Sequence, residues 1–316
     1  MIIPLLLIFA GLALLILGAE FLVRGSASLA KKMGISSIVI GLTVVAFGTS
    51  APELFVNLFS AYKGTTDLAI GNIVGSNMAN ILLILGVGAT MTAIKVKKGT
   101  TYKEIPFALL AMALVAVFGN DLFLDHSSAN ILTRTDGIAL IGFFLIFLYY
   151  TYGISKATGD EQKVQTYSIA TSLLMVGGGL ITLVLGGKII VENAIILATL
   201  AGMSEALIGL TIVAVGTSLP EFATTIVALR KGQNDIAMGN IVGSNIFNVF
   251  WILGVTAIIK PLPFDTAANI DVLFTTIITF LLFIFMFIGK KHTLQRWQGV
   301  CFVLLYVGYI SYAVLR

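Results

Sequence analysis

The stretch GTSAPE, residues 48–53, returns almost letter for letter as GTSLPE at 216–221, each time inside a long apolar run. Proline removes a backbone donor and clashes with the preceding turn, so it bends or breaks a helix. A carboxylate in the middle of a membrane span costs at least about 2.5–3.5 kcal/mol and marks a functional position by default. The two stretches therefore indicate where the function of this chain resides.

The composition of the chain is that of a membrane protein. Of its 316 residues, 58% are hydrophobic and 11% are charged, whereas soluble domains carry roughly 25% charged residues. Because a span needs roughly 20 apolar residues, the sequence predicts an all-α membrane protein with about ten transmembrane helices, kinked at the two proline stretches. The predicted spans are 2–23, 37–61, 69–92, 104–120, 136–153, 168–189, 205–229, 236–258, 270–289 and 296–314.

The chain also contains an internal duplication. Shifted by 168 residues, the motif segment 41–89 matches the segment 209–257 at 27 of 49 positions without a gap. The duplication predicts a first five-helix repeat at 1–152, a short cytoplasmic linker at 153–167 and a second five-helix repeat at 168–316. An odd number of spans per repeat places the two copies in opposite orientations across the membrane. Such inverted repeats are a common plan of secondary transporters.

The basic residues support this inverted arrangement. With the N-terminus outside, 14 of the 19 Lys and Arg residues lie on the predicted cytoplasmic side, and the other five lie outside. This is the bias that orients membrane proteins. We therefore expect both termini to be extracytoplasmic. The net charge of +4 then reflects topology and does not indicate a nucleic-acid partner.

Two acidic residues stand apart from the rest by their depth. Of the 15 acidic residues, only Glu53 and Glu221 fall in mid-span. The neighbouring prolines are expected to leave carbonyls such as those of Ala46 and Ala214 near bent, partly unwound turns, which are tolerated at this depth only inside protein or beside a watery cavity. Hydroxyl oxygens beside those carbonyls come from Thr49, Ser50, Thr217 and Ser218.

A second motif follows each proline stretch, as GNIVGSNMAN at 71–80 and GNIVGSNIFN at 239–248. In each copy a serine and the last asparagine are four residues apart, so they share one helix face and can present a hydroxyl and an amide oxygen towards a glutamate. Oxygen ligands of these kinds suit calcium or sodium. The residues concerned are Ser76 and Asn80 in the first copy, and Ser244 and Asn248 in the second.

Taken together, the two motifs resemble the α-repeats of the cation/calcium antiporter superfamily, and most closely those of the small prokaryotic sodium/calcium exchangers. The resemblance covers the whole chain in span count and duplication. It implies a multi-pass protein of a prokaryotic plasma (inner) membrane that exchanges sodium for calcium by alternating access. It further implies that Glu53 and Glu221 ligate calcium with help from Thr49 and Thr217. Sodium sites would recruit the carbonyls of Ala46 and Ala214, together with Ser76, Ser244, Asn80 and Asn248.

Two departures from other branches of the superfamily favour sodium as the driving ion. Potassium-dependent members rely on an aspartate at the position of Asn248, so the asparagine argues against potassium dependence. Members of the proton/calcium branch typically carry a glutamate within the second motif, and GNIVGSN has none.

Two other readings are kept as alternatives. A proton/calcium or other cation/proton antiporter could use the same scaffold, because an intramembrane glutamate can also bind a proton. An intramembrane acid–base enzyme could use the two glutamates as a dyad, but the symmetric copies suit alternating access better and no separate nucleophile is evident. We therefore expect no enzymatic activity and no cofactor. The expected partners are transported calcium and sodium ions and membrane lipid, with no nucleic acid, and the chain is expected to be a monomer.

Overall fold

The structure is a computed structural model that describes residues 2–63, 66–124, 126, 129–155, 165–201, 214–264 and 266–315. Within these residues the chain is almost entirely helical. The helices are α1 (Ile2–Met33), α2 (Ser37–Ile40), α3 (Ala46–Thr49), α4 (Ala51–Lys63), α5 (Thr66–Met78), α6 (Gly86–Met91), α7 (Ile105–Phe118), α8 (Asp121–Leu124), α9 (Arg134–Ile154), α10 (Ile169–Leu200), α11 (Ala214–Thr217), α12 (Leu219–Arg230), α13 (Asn234–Ile246), α14 (Gly254–Ile259), α15 (Thr266–Phe285) and α16 (Arg296–Leu315). Turns of π-helix occupy Gly41–Val45, Ala79–Leu85, Thr100–Glu104 and Phe247–Leu253.

Four two-residue strands complete the described elements: β1 (Ile94–Lys95), β2 (Ile131–Leu132), β3 (Leu262–Pro263) and β4 (Thr293–Leu294). They form two antiparallel pairs, β1 with β4 and β2 with β3. Each pair joins a loop of the first half of the chain to a loop of the second. These short pairs are the exception to the predicted all-α class, and they tie connections together without forming a sheet core.

Membrane-crossing helices account for most of the described chain. Seven helices are long and apolar enough to cross a membrane, and the number is eight if the bent pair Ser37–Thr49 and Ala51–Lys63 counts as one span. The predicted span 205–229 begins among residues 202–213, which lie outside the described residues. The predicted span 296–314 corresponds to α16, which is not among the seven.

Two of the spanning helices are longer than predicted. The predicted spans 2–23 and 168–189 are apolar runs between charged or Gly/Pro breaks, but α1 runs on to Met33 and α10 to Leu200. The reason lies in the small residues Gly25, Ser26 and Ala27, which are buried and continue the packing face of α1 beyond Arg24. A charge at the membrane surface does not end a helix whose other face remains in contact with protein.

The secondary structure repeats with the same offset as the sequence. A shift of 168 residues superposes the bounds of α5 on those of α13. The same shift superposes the π-helical segment Ala79–Leu85 on Phe247–Leu253, and α6 on α14. These two broken helices are the most deeply buried spans of the described chain. The GNIVGSN motifs therefore lie at the centre of the molecule.

The long helices α1 and α10 pack against each other through reciprocal glycine contacts. A Cβ built on Gly18 would lie 2.8 Å from the carbonyl oxygen of Gly179, and one built on Gly11 would lie 2.9 Å from that of Gly186. In sequence, Gly11 corresponds to Gly179 and Gly18 to Gly186, so each contact is the counterpart of the other. Reciprocal contacts of this kind are what a two-fold axis between two similar halves produces.

Candidate cation site

The two glutamates each follow a break in a helix. The backbone leaves helical geometry at Ser50 (φ −80°, ψ 8°) and at Ser218 (φ −86°, ψ 5°), and in the first half the axis bends there by 46°. A new helix starts at the next residue, with proline in its first turn, where its missing N–H costs nothing. Glu53 and Glu221 consequently lie in the first turns of α4 and α12. A helix N-terminus carries partial positive charge and stabilises a carboxylate there.

The bend expected near Ala46 falls at Ser50, four residues further on. The carbonyl of Ala46 itself accepts a hydrogen bond from Ser50 N at 3.0 Å, and Thr49 Oγ1 lies 3.3 Å from it. The carbonyl four residues before Pro52 belongs to Gly48, and the chain accommodates the proline by breaking at one residue. In the second half, Ser218 N donates instead to Val215 O at 3.2 Å. Ala214 is the first residue of α11.

Hydroxyl groups reach the carboxylates across the two halves. Ser50 Oγ donates to Glu221 Oε1 at 3.0 Å, and Ser218 Oγ donates to Glu53 Oε1 at 3.4 Å. The two bonds are exact counterparts under the 168-residue shift. The proline stretches therefore do not form two separate clusters, since each supplies a serine hydroxyl that donates to the glutamate of the other.

A second pair of serines binds the carboxylates within each half. Ser76 Oγ donates to Glu53 Oε1 at 3.2 Å, and Ser244 Oγ donates to Glu221 Oε1 at 3.5 Å. Both serines come from the second motif, as the sequence predicts. Each carboxylate thus has one oxygen held by two hydroxyls, and its other oxygen is left for a different partner.

Thr49 also lies in this cluster, where Asn240 holds it. Thr49 Oγ1 donates to Asn240 Oδ1 at 3.0 Å, and Asn240 Nδ2 donates to the backbone carbonyl of Glu221 at 3.2 Å. Asn240 therefore connects the first proline stretch to the second. Thr217, the counterpart of Thr49, is likewise buried.

The last asparagine of each motif lies at the interface between the two halves. Asn80 Nδ2 donates to Asn245 Oδ1 at 2.9 Å, and Asn248 Nδ2 donates to Asn77 Oδ1 at 3.0 Å. Both amides are therefore held by an asparagine of the opposite half. As with the serines, the two bonds are counterparts of each other.

Four buried acceptor oxygens in this region lack a donor. They are Oε2 of Glu53 and Glu221 and Oδ1 of Asn80 and Asn248, none of which has a hydrogen-bond partner within the described part of the chain. All four side chains are essentially inaccessible. Leaving a buried polar group unpaired costs about 1–3 kcal/mol, and more for a charged one. A cation among these oxygens would satisfy them.

The protein supplies no such cation from the residues that the structure describes. No lysine, arginine or histidine is among their buried side chains. A buried carboxylate without a positively charged partner is strongly unfavourable. Two of them at the centre of the molecule, surrounded by hydroxyl and amide oxygens, form a site suited to a hard cation such as sodium or calcium.

Sequence reasoning missed three asparagines that organise this site. Asn77 and Asn245 hold the amides of Asn248 and Asn80, and Asn240 holds Thr49. Their signal was present, because all three belong to the segment GNIVGSN that is identical in the two copies. Helical spacing singles out only the serine and the last asparagine of each motif, so it does not indicate the asparagines that hold Asn80, Asn248 and Thr49.

A third carboxyl is buried away from this site. Glu104, predicted at the end of a span, is 2% exposed and accepts a hydrogen bond from Tyr150 Oη. Lys103 lies over the same tyrosine ring, 5.6 Å from its centroid. Glu104 has no counterpart in the second half, where the shifted position holds Val272, and so it does not belong to the symmetric cluster.

The fold and the site together define a class of protein: a multi-pass membrane protein whose related halves enclose a buried cage of oxygen ligands. A family model described as "Sodium/calcium exchanger protein" matches residues 3–153 and 171–315, in two segments that follow the duplication. The chain belongs to this family of sodium/calcium exchanger proteins. The resemblance drawn from the motifs is thereby confirmed.

Individual relatives agree with this membership. Sodium/calcium exchanger MaX1 of Methanosarcina acetivorans is 31% identical, over 96% of this chain and 97% of its own length. Inner membrane protein YrbG of Escherichia coli is 37% identical, over 83% of this chain and 82% of its own. A solved structure of the sodium-calcium exchanger NCX_Mj has a TM-score of 0.85 and 33% identity, covering 100% of this chain and 99% of that one. The family is one of membrane transporters that exchange cations, not a family of enzymes.

Proposed function

We propose that this protein exchanges sodium for calcium across the membrane by alternating access. The single observation that carries the proposal is that four buried oxygens of the two repeated motifs, two from carboxylates and two from amides, have no donor in the described chain. The proposed ligands are Glu53, Glu221, Thr49, Thr217, Ser50, Ser218, Ala46, Ala214, Ser76, Ser244, Asn80 and Asn248. The names of the relatives, which include sodium/calcium exchangers, support the same pair of ions.

The charges of the site favour competition between calcium and sodium. Two carboxylates are neutralised by one calcium ion or by two sodium ions. A third sodium ion would have to bind neutral oxygens, and the amide oxygens of Asn80 and Asn248 are available for it. If three sodium ions exchange for one calcium ion, each cycle moves one net positive charge with the sodium.

The symmetry of the two halves supports alternating access. We assign ten spans to two inverted repeats, at 1–152 and 168–316, joined by a cytoplasmic linker at 153–167. The common offset of sequence and secondary structure, the reciprocal contacts and the distribution of basic residues support this assignment. In halves inverted about an axis in the membrane plane, exchange of their conformations turns an outward-open site into an inward-open one. Both termini then lie on the extracytoplasmic side of a prokaryotic inner membrane.

Calcium uptake by sodium-loaded proteoliposomes tests the proposal. Vesicles containing the purified protein are diluted into sodium-free medium with radioactive calcium, and a parallel sample receives a pH gradient without sodium. Uptake driven by sodium alone is the expected result. Uptake driven by the pH gradient alone would assign the protein to proton/calcium exchange at the same site. Uptake in neither condition would overturn calcium as the substrate.

A further inference from the structure

Two asparagines that are not among the proposed ligands form a crossed pair between the halves. Asn77 Nδ2 donates to the backbone carbonyl of Asn245 at 3.2 Å, and Asn245 Nδ2 donates to the backbone carbonyl of Asn77 at 3.4 Å. Both side chains are buried. A carbonyl oxygen can only accept, so these bonds fix which end of each amide is nitrogen.

The fixed ends determine the orientation of the next amide. With its nitrogen on the Asn245 carbonyl, Asn77 turns its Oδ1 towards Asn248, and only the nitrogen of Asn248 can donate to it, at 3.0 Å. The oxygen of Asn248 must then point the other way, where it has no donor among the described residues. In the same way, Asn245 Oδ1 accepts from Asn80 Nδ2 at 2.9 Å, and the oxygen of Asn80 points the other way.

We propose that Asn77 and Asn245 are positioning residues that turn the amide oxygens of Asn248 and Asn80 into the cation site. This inference rests on the proposed function, because it assigns those two oxygens to a transported ion. Neither asparagine touches the ion. Each acts on a ligand of the opposite half, so its effect depends on a residue 165 or 171 positions away in the sequence.

The crossed hydrogen bonds predict that Asn77 is coupled to Asn248 and not to Asn80. Asn77→Leu removes the acceptor of the Asn248 amide, which can then rotate its oxygen out of the site. Because a hydrogen bond contributes about 1 kcal/mol, the half-saturating sodium concentration should rise about fivefold, while the maximal rate stays close to that of the wild type. The effect should be absent in an Asn248→Ala background, where no amide remains to be oriented. In an Asn80→Ala background it should be retained.

The experiment is a pair of double-mutant cycles on sodium activation of exchange in proteoliposomes. Asn193→Leu is the matched control, since Asn193 is buried in α10 and donates to the Ile189 carbonyl away from the site. Coupling of Asn77 to Asn248 that exceeds its coupling to Asn80 supports the inference. Equal coupling to both, or an unchanged sodium dependence of Asn77→Leu, overturns it.

A binding measurement separates this inference from the proposed function. Sodium should raise the melting temperature of the detergent-solubilised protein through preferential binding to the folded state. Asn77→Leu should need about fivefold more sodium for the same increase. A wild-type protein that is stabilised by sodium but does not exchange contradicts the proposed function alone. If Asn77→Leu does not fold, Asn245→Leu tests the mirror-image coupling, to Asn80 in preference to Asn248.

Discussion

Ser50 Oγ donates a hydrogen bond to Glu221 Oε1 at 3.0 Å, across 171 residues of sequence. Its counterpart, Ser218, donates to Glu53 at 3.4 Å. Each proline stretch therefore supplies a hydroxyl donor to the carboxylate of the other. A change at either serine therefore alters the surroundings of the carboxylate in the opposite half.

Removal of either central carboxylate charge should abolish exchange. Glu53→Gln and Glu221→Gln should each lower the rate at least about a hundredfold, since losing one member of a buried charge site costs about 3–5 kcal/mol. Glu104→Gln is the matched control, because Glu104 is buried to the same extent but lies with Tyr150. Sodium-driven calcium uptake measures all three. Wild-type rates in Glu53→Gln would contradict the site assignment.

Ser50, which donates to the carboxylate of the opposite half, should affect calcium affinity. Ser50→Ala removes a hydrogen bond to a carboxylate, worth about 1.5–3 kcal/mol, and should raise the half-saturating calcium concentration at least about tenfold. Ser60→Ala is a suitable control, because Ser60 is buried in α4, ten residues further along the chain. Calcium titration of uptake compares the two variants. A larger effect from the control would exclude a specific role for Ser50.

Transport should respond to membrane potential if three sodium ions leave for each calcium ion that enters. One net positive charge then leaves the sodium-loaded vesicle per cycle, so a lumen-positive potential should accelerate calcium uptake and a lumen-negative potential should slow it. Potassium gradients with valinomycin set the potential, and samples without valinomycin are the control. Uptake that ignores the potential would indicate electroneutral exchange.

The contact between α1 and α10 should tolerate only glycine at Gly179. A Cβ at this position would lie 2.7 Å from the Gly18 carbonyl oxygen, whereas one at Gly177 meets no described atom within 4 Å. Gly179→Ala should therefore lower the melting temperature of the purified protein. Gly177→Ala should match or exceed the wild type, because alanine is favoured over glycine in a helix by about 1 kcal/mol. The reverse order would disprove the close packing.

A salt bridge joins the halves at one face of the molecule. Glu20 accepts from Lys231 at 2.6 Å and from Arg24 at 2.5 Å, whereas the equivalent positions in the other half hold Lys188 and Lys63. If this bridge favours one of the two states of the transporter, Lys231→Met should change the ratio of the half-saturating calcium concentrations measured on the two sides of the membrane. The change should be at most about fivefold, because a partly exposed salt bridge contributes at most about 1 kcal/mol. Lys188→Met, measured from both sides, is the control. An unchanged ratio would mean that the bridge does not bias the two states.

Much of the candidate site could be predicted from the sequence because its two motifs occur twice in the chain. Glu53 and Glu221 were evident from their depth in apolar runs, and the identical GNIVGSN segments located the serines and asparagines nearby. Composition determined the membrane class, since so few charges cannot cover a soluble surface. The offset of 168 residues determined the duplication. These properties follow from local composition and repetition, which need no knowledge of folding.

Tertiary structure decided what the periodicity does not encode. Local patterns did not indicate that Ser50 belongs to Glu221, that Asn77 orients Asn248, or that Glu104 lies buried beside Tyr150. Each depends on side chains brought together from distant parts of the chain. The direction of an amide is likewise fixed by its partners, because its two ends are nearly equal in size and differ only in donating or accepting. The sequence by itself thus determined the membrane class, the duplication and the two motifs, and the packing of the two halves decided which of their polar atoms meet and which buried oxygens are left without a donor.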